Sequence, residues 1–259
     1  MKKSVGILAM AVASICATTV ATQASILVND NFNRANGNLV GTNPTPGPGG
    51  TWAAHSGAGA LPVQISSGQI GLAQGSGSRE DVNAPAGATM GAGDRWYAAF
   101  NLVIADPAAS ITDTYFAMFL QGTSNFNGRV WVTAPTSAGY RLALSNDSSI
   151  TDSDGEAFTG DLVFGQSYRV VVSYDFTGQN ASLWLDQALE SGSSIAATDP
   201  GFSNAVSAFA FRQAAGNTTQ TIDDLCVATT YGEAYTCVPE PATLGLLAMG
   251  ALALIRRRR

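Results

Sequence analysis

Between about residue 25 and residue 238, apolar side chains recur at every second position in short runs, which is the spacing of half-buried β-strands. Residues 95–104 show it best, because Trp96, Phe100 and Ile104 fall on one face and Tyr97 and Asn101 on the other. Residues 115–120 are apolar on both faces, which predicts a covered strand. Further strands are predicted at residues 25–31, 63–65, 70–72, 129–133, 140–144, 168–175, 181–186, 206–212 and 221–228.

Glycine and proline mark the connections between these runs. Residues 66–69 and 177–180 have the composition of hairpin turns, and prolines 44, 46 and 48 make residues 41–50 an exposed loop. Residues 75–93 are rich in glycine, alanine and serine, and we expect at most a short edge strand there. Because no segment between residues 25 and 238 has a helical period, the pattern predicts one all-β domain over residues 25–237, an antiparallel β-sandwich or jelly roll.

The first 24 residues have the pattern of a secretory signal peptide. Lys2 and Lys3 precede an apolar run over residues 5–20, and the small residues Thr22 and Ala24 precede a cleavage position before Ser25. We therefore expect an N-terminal signal helix over residues 1–24, and an exported mature chain.

The last segment combines a polar start, an apolar stretch and a basic end. Residues 242–255 carry no charge, and a helix of that length rises roughly 21 Å, short of a hydrocarbon core of about 30 Å unless residues 238–241 extend it. Four arginines follow and are expected to stay in the cytoplasm. The pattern predicts a C-terminal transmembrane helix.

This order of Val-Pro-Glu-Pro, apolar segment and arginine cluster resembles the PEP-CTERM sorting signal of Gram-negative bacteria. The resemblance implies that residues 238–259 are recognised and removed by an exosortase-type enzyme. The precursor would then sit in the inner membrane and the product at the cell surface, in the outer envelope or in the extracellular matrix; a plain membrane anchor is the alternative. The residues that carry the signal are Pro239, Glu240, Pro241, Arg256, Arg257, Arg258 and Arg259.

Charge limits the possible partners of the exported part. Without Lys2, Lys3 and the four C-terminal arginines, seven of the thirteen Lys and Arg remain, and without Glu240 eighteen of the nineteen Asp and Glu remain. The resulting net charge of about −11 repels phosphate backbones and anionic lipids, so we expect no nucleic-acid partner, and membrane contact through the C-terminal helix alone.

Two cysteines remain after signal removal, Cys226 and Cys237, in an oxidising compartment. We expect a disulfide, which would stabilise the fold by roughly 2.5–3 kcal/mol by chain-entropy arguments. Two free thiols are the alternative.

The succession of strands at residues 168–175, 182–186, 207–213 and 221–225 resembles exported bacterial domains of the concanavalin A-like, laminin-G-like jelly-roll superfamily. That fold serves lectins, adhesion modules and glycan-cleaving enzymes, so the resemblance implies glycan contact by analogy. The aromatic residues first considered for stacking on sugar rings are Trp131, Tyr140 and Trp184, with packing in the core as the alternative for each.

Catalytic residues are not identifiable in the sequence. A retaining glycanase needs two carboxyl groups about 5.5 Å apart on a strand, whereas Asp152, Asp154 and Glu156 have a suitable spacing but lie among turn-forming residues. The same loop offers oxygen ligands, which makes a calcium ion a possible cofactor there. His55 lacks the partners of a zinc site or a triad and is expected in a loop.

The sequence therefore predicts an exported, non-catalytic protein of the cell surface or exopolysaccharide matrix with a glycan-binding or adhesive role. A purely structural matrix protein and a glycan-cleaving enzyme are the alternatives. The partners expected are the processing enzyme and an extracellular polysaccharide.

Overall fold

The computed structural model describes residues 25–73, 77–150, 155–199, 205–213 and 218–237. Within these ranges the chain forms sixteen strands and one short helix. The strands are β1 (Ile26–Asp30), β2 (Gly37–Asn38), β3 (Ala53–Ser56), β4 (Gln64–Ser66), β5 (Gln69–Leu72), β6 (Asp81–Pro85), β7 (Arg95–Ile104), β8 (Thr114–Gln121), β9 (Asn125–Thr133), β10 (Arg141–Ser145), β11 (Ala157–Phe158), β12 (Ser167–Asp175), β13 (Asn180–Leu185), β14 (Ser194–Ala197), β15 (Ala208–Phe211) and β16 (Gln220–Ala228), and the helix is α1 (Tyr231–Thr236).

Two antiparallel sheets form the predicted sandwich. The first sheet has the order β14-β13-β12-β7-β16-β5-β4-β2, with β1 pairing along the end of β16 beyond β5. The second sheet has the order β11-β10-β9-β8-β15-β6-β3. Neighbours in space are often distant in sequence, as where β16 pairs with β7 and β15 with β8. The all-β antiparallel sandwich predicted from the sequence is confirmed.

Aromatic side chains fill the space between the sheets. Phe100 of the first sheet meets Phe116 and Phe211 of the second in edge-on contacts, with ring centres 6.2 and 5.6 Å apart. Phe209 and Phe119 extend the cluster, and the rings are fully buried. Since such pairs add about 0.5–1.5 kcal/mol beyond their buried area, they fix how the sheets stack.

Most predicted strands form close to the expected positions. The turn at Ser67 and Gly68, where both residues have positive φ, closes the β4–β5 hairpin, and β12 pairs with β13 across residues 176–179. In β7, Phe100 and Leu102 point into the core, as the alternation predicted.

Three local expectations were wrong. The segment at residues 75–93 contains β6, which lies between β15 and β3 and is therefore not an edge strand. His55 lies in strand β3 rather than in a loop. A helix, α1, forms at Tyr231–Thr236, begun by the Thr230 side chain, which accepts from the Glu233 backbone N–H; six residues are too few to show a helical period.

Helix α1 covers the outer face of the first sheet. Tyr231 packs against Tyr97 and Trp184 there, with ring centres 5.9 and 5.1 Å apart. Arg169 of β12 holds the end of the helix by donating from its guanidinium to the backbone carbonyls of Ala234 and Tyr235, which is where a cation stabilises a helix.

A disulfide joins Cys226 of β16 to Cys237, directly after the helix. It closes the chain onto the first sheet at the last described residue. The signal helix and the transmembrane helix expected at residues 1–24 and 238–259 lie outside the described residues. Among the residues that are described, no helical segment has the length and apolar character needed to cross a membrane.

Candidate functional site

The outer face of the second sheet carries the candidate site. Alternation fixes which side chains point there: Phe209 and Phe211 of β15 belong to the core, so Ala208, Ala210 and Arg212 face outward. On β9 the core residues are Val130 and Val132. The same rule makes these side chains of the neighbouring strands face outward: Asp81 and Asn83 of β6, Met118 and Leu120 of β8, Arg129 and Trp131 of β9, and Arg141 and Ser145 of β10.

This face is concave. His55 of β3 and Phe126 of β9 are in contact, with ring centres 5.9 Å apart, although β6, β15 and β8 lie between their strands. Four strand spacings in a flat sheet measure about 19 Å, more than these two side chains can bridge side by side. The sheet must curl toward its outer face for the rings to meet. We call the resulting concavity the cleft.

The floor of the cleft is apolar and its central side chains are small. Met118, Leu120, Ala208 and Ala210 form a buried cluster against which Tyr115 and Phe126 pack. Alanines on β15 leave room above the middle of the sheet for the Phe126 ring. The floor is therefore flat, with partly exposed rings standing on it.

Arginine is concentrated on this face. Residues 25–237 contain seven arginines, and Arg129, Arg141 and Arg212 are three of them. The guanidinium of Arg212 lies 4.2 Å from the centre of the Tyr115 ring, and that of Arg129 lies 5.5 Å from the rings of both Tyr115 and Phe126. The guanidinium of Arg212 stacks on a ring through one face and can still offer its donors to a carboxylate or sulfate, whereas Arg129 is 2% exposed and donates to the Asn146 carbonyl oxygen.

His55 is positioned by a β-bulge. The register between β3 and β6 shifts between Ala54 and Ser56, so His55 is the extra residue and its side chain is redirected. Burial, with a smaller effect of Arg212, lowers the pKa of His55 to about 4. Among the described residues neither ring nitrogen has a hydrogen-bond partner. The imidazole is thus neutral at pH 7, and both of its ring nitrogens are buried.

Asp81 is the acid beside these groups. Burial raises its pKa to about 6, opposed by hydrogen bonds from the Gln213 N–H and the Ser56 side chain and by the charge of Arg212. The Gln213 N–H donates to Asp81 Oδ1 over 2.8 Å. Near pH 6 this carboxyl is therefore half protonated, and the cleft loses negative charge as the pH falls.

The three aromatic residues proposed for sugar stacking do not form one surface. Tyr140 is fully buried in the core, and Trp184 lies under α1 on the opposite face of the molecule. Only Trp131 of these three belongs to the cleft, where its ring packs edge-on to Tyr115 at 5.0 Å and is 7% exposed. Glycan stacking on Tyr140 and Trp184 is excluded by their burial. The buried indole N–H of Trp131 has no partner among the described residues.

The acidic loop proposed for calcium is described in part. Asp152 and Asp154 lie outside the described residues, and Glu156 is half-buried. Among the described residues no group of three or more His, Cys, Asp or Glu side chains is arranged to hold a metal ion. The loop borders Asp199, a buried acid that receives the N–H groups of Asn146 and Asp147 on Oδ2.

Sequence reasoning missed most of the cleft. His55, Asp81 and Arg212 are spread over more than a hundred residues of the sequence. Only the pairing of β3, β6 and β15 brings them together. Tyr115 was predicted as a strand residue without a role, and Phe126 lay outside the predicted strands. One signal was available in the sequence. The few arginines of this acidic chain occupy strand positions that alternate with the core-facing residues.

Comparison with known families identifies the C-terminal segment. Residues 238–259 match the PEP-CTERM protein-sorting motif, and Pro239, Glu240, Pro241 and the four final arginines lie within that match. The chain thus carries a sorting signal of exported proteins, as the sequence predicted. No curated protein matches the chain significantly by sequence.

Comparison with solved structures identifies the fold. The binding domain of botulinum neurotoxin serotype C1 superposes with a TM-score of 0.51 at 10% identity, over 80% of this chain and 49% of that one. The Emp47p carbohydrate recognition domain gives 0.48 at 11% identity, over 78% and 94%, and a sialidase gives 0.48 at 13%, over 71% and 17%. This chain thus spans less than half of the toxin and sialidase chains. The likeness to the toxin binding domain supports the β-sandwich fold.

Proposed function

We propose that this protein is exported to the cell surface or the extracellular matrix, where it binds an acidic polysaccharide in the cleft. The observation that carries the proposal is the placement of Arg129, Arg141 and Arg212 on one concave face of a domain with a net charge of about −11.

The chemistry of the cleft fits a chain of uronate or sulfated sugars. Arginine binds carboxylate and sulfate groups with two parallel hydrogen bonds, each stronger than a bond between neutral groups. Tyr115 and Phe126 offer apolar surface to the C–H faces of a sugar ring.

The toxin binding domain and the carbohydrate recognition domain named above are consistent with a glycan as the class of ligand. Their fold alone does not identify which glycan is bound. The sorting motif supports the destination, because proteins carrying it are exported and processed. Removal of the tail by an exosortase-type enzyme would release the domain to the envelope surface or matrix. The extracellular polysaccharide of the producing cell is then the ligand within reach.

A glycan-cleaving activity is the second candidate, and the unpartnered His55 ring beside Arg212 favours it. Arginine bound to a uronate carboxylate would make the neighbouring C–H more acidic, and a neutral imidazole could accept that proton. A histidine with a pKa of about 4 is however a weak base at pH 7. Hydrolysis is disfavoured because the charged group that perturbs Asp81 is Arg212 rather than a second carboxylate.

Binding can be tested by titration calorimetry of the full chain, purified in mild detergent, with polymannuronate, polygalacturonate, a sulfated galactan and a neutral glucan. We expect saturable binding to at least one anionic polymer, weakened by added salt, and none to the glucan. Equal binding to glucan, or no binding to any polymer, would refute the proposal. Formation of unsaturated uronate in the same samples, followed by ultraviolet absorbance, would instead support the lyase.

A further inference from the structure

Asp199 has a buried carboxylate oxygen that its surroundings leave without a partner. The side chain is 1% exposed, and within the described residues Oδ1 accepts no hydrogen bond. The other oxygen, Oδ2, accepts from the backbone N–H groups of Asn146 and Asp147 at 2.7 and 2.8 Å and lies 2.9 Å from Ser145 Oγ. A buried carboxylate oxygen with no partner is energetically unfavourable.

Oxygen atoms converge beside it. Ser145 Oγ lies 3.2 Å from the carbonyl oxygen of Asp147, 3.1 Å from that of Ser149 and 2.9 Å from Asp199 Oδ2, and it also accepts from the Asp147 N–H. A serine hydroxyl has one proton and can donate it to only one of these three oxygens. Ser145 Oγ therefore lies within 3.2 Å of at least two acceptor oxygens without a proton between them.

This arrangement is what a hard cation requires. Oxygen ligands at 2.3–2.6 Å from a calcium ion lie about 3 Å from each other, which is the spacing around Ser145. Carboxylate, carbonyl and hydroxyl oxygens in an irregular set favour calcium over magnesium, which demands an octahedron, and over zinc, which prefers nitrogen and sulfur.

The carboxylates at the site outnumber the positively charged side chains that face them. Asp199 and Asp147 supply two carboxylates, and the cation facing them is Arg129, whose pKa is lowered by burial and raised by Tyr115 and these two acids. Arg129 donates from its guanidinium to the Asn146 carbonyl oxygen over 2.6 Å. One net negative charge remains for a bound ion to compensate.

We propose that Asp199 Oδ1 binds a calcium ion together with Ser145 Oγ and the carbonyl oxygens of Asp147 and Ser149. The site lies at the end of β10, where Ser145 is the register partner of Arg129, so it borders the cleft. Calcium would fix residues 145–149 and, through the Asn146 carbonyl, the position of Arg129. The proposal does not depend on the polysaccharide.

The test measures calcium alone. The full chain is stripped with chelator, and its thermal unfolding midpoint is followed while calcium, magnesium or potassium is returned. At about a hundredfold excess over Kd, calcium should raise the midpoint by about 5 °C or more, with one ion bound per chain by calorimetry, and magnesium should do less. No calcium-dependent rise, or a rise equal with magnesium, overturns the proposal.

Variants locate the ion. Asp199→Asn keeps an oxygen for the two N–H groups but removes the charge, and should abolish the calcium-dependent rise; Ser145→Ala should weaken calcium binding about tenfold while retaining the carboxylate. Asp161→Asn is the matched control, because Asp161 also accepts the N–H groups of a turn, from Thr136 and Ser137, but is exposed. It should respond like wild type.

Retention of the full calcium response in Asp199→Asn, or its loss in Asp161→Asn, would refute this location. If Asp199→Asn does not fold, the Ser145→Ala titration decides, because unchanged calcium affinity there contradicts the proposed oxygen set. Failure of polysaccharide binding with an intact calcium response would count against the proposed function alone.

Discussion

The guanidinium of Arg212 stands 4.2 Å above the centre of the Tyr115 ring, on a strand next to the one that carries Asp81. The ring holds the guanidinium plane while its N–H groups stay turned to solvent, and the neighbouring acid is partly protonated near pH 6. A cation held in this way is preorganised for an incoming anion.

Replacing this cation should weaken polysaccharide binding. We expect Arg212→Gln to lower the affinity for the anionic polymer that binds best by roughly tenfold, because a charged hydrogen bond contributes about 1.5–3 kcal/mol. The salt dependence of binding should become shallower in the same titrations.

Arg95→Gln is the matched control for this change. Arg95 lies on the first sheet, where it pairs with Asp175, and is remote from the cleft. It should leave the affinity unchanged. A loss of equal size in Arg95→Gln would mean that net charge, and not the cleft, governs binding.

Binding should strengthen as the pH falls from 7.5 to 5. The pKa of Asp81 is about 6 in the free protein, so its carboxylate becomes neutral over this range and stops repelling the ligand, whereas His55, with a pKa of about 4, stays neutral. We expect a gain of roughly threefold to tenfold in affinity.

Asp81→Asn should bind at pH 7.5 about as well as the wild type does at pH 5, and its affinity should be flat between these values. The measurement is the same calorimetric titration in buffers of equal ionic strength. A pH profile that survives the substitution would assign the effect to another group.

Stability should depend on pH through Asp223. Burial and, less strongly, Asp224 raise its pKa to about 6, so the folded state binds this proton more tightly than the unfolded state does. The folded form therefore carries a penalty that is absent below about pH 4, grows between pH 4 and 6, and is constant above.

Asp223→Asn should accordingly increase the free energy of unfolding at pH 7 by about 1 kcal/mol, after allowance for partial exposure, and change it little at pH 3.5. Urea unfolding at pH 7 and at pH 3.5 measures this change in the free energy of unfolding.

Asp161→Asn is expected to behave in the opposite sense, since hydrogen bonds from the Thr136 backbone and its neighbours lower the Asp161 pKa. The loss of stability in this variant should appear above pH 4. Effects of the same sign in both variants would contradict these assignments.

The bond between Cys226 and Cys237 holds α1 against Tyr97 and Trp184. Replacing both cysteines with serine should lower the free energy of unfolding by roughly 2–3 kcal/mol. Trp184 emission should shift to longer wavelength if the helix separates from the sheet, and reduction of the wild type should reproduce both effects. Unchanged stability in the double variant would show that α1 docks without the bond.

Processing of the tail should require the sorting motif. Glu240→Ala or Pro239→Ala should leave the full-length precursor in the inner membrane, whereas Glu233→Gln, a change in α1 a few residues earlier, should be processed normally. Immunoblots of membrane and exported fractions compare the two. Exported wild-type protein that still carries the four terminal arginines would contradict processing at this motif.

The strands could be predicted where one face is apolar, as in β7, because burial on one side imposes a period of two. The cleft could not, because its residues occupy the other face, where polar and apolar side chains are both permitted. Asn83 and Pro85 obscured β6, which is central only through its pairing with β15. The β-bulge that redirects His55 leaves no signal in the residues around it.

Trp184, on the outer face of the first sheet, shows the same limit of prediction from the sequence. Trp184 lies on the non-core face of β13, but exposure does not follow from that alternation alone, since α1 covers the same face. Six residues at the far end of the chain decide whether that ring meets solvent or protein.

Because α1 and Cys237 lie on the outer face of the first sheet and the cleft opens on the outer face of the second, the domain has a top and a bottom. The sorting motif follows Cys237 with no intervening residue. If the chain is held just after Cys237, its point of attachment and the cleft lie on opposite faces of the domain. An anchored molecule would then present its cleft outward, toward the polymer and away from the envelope.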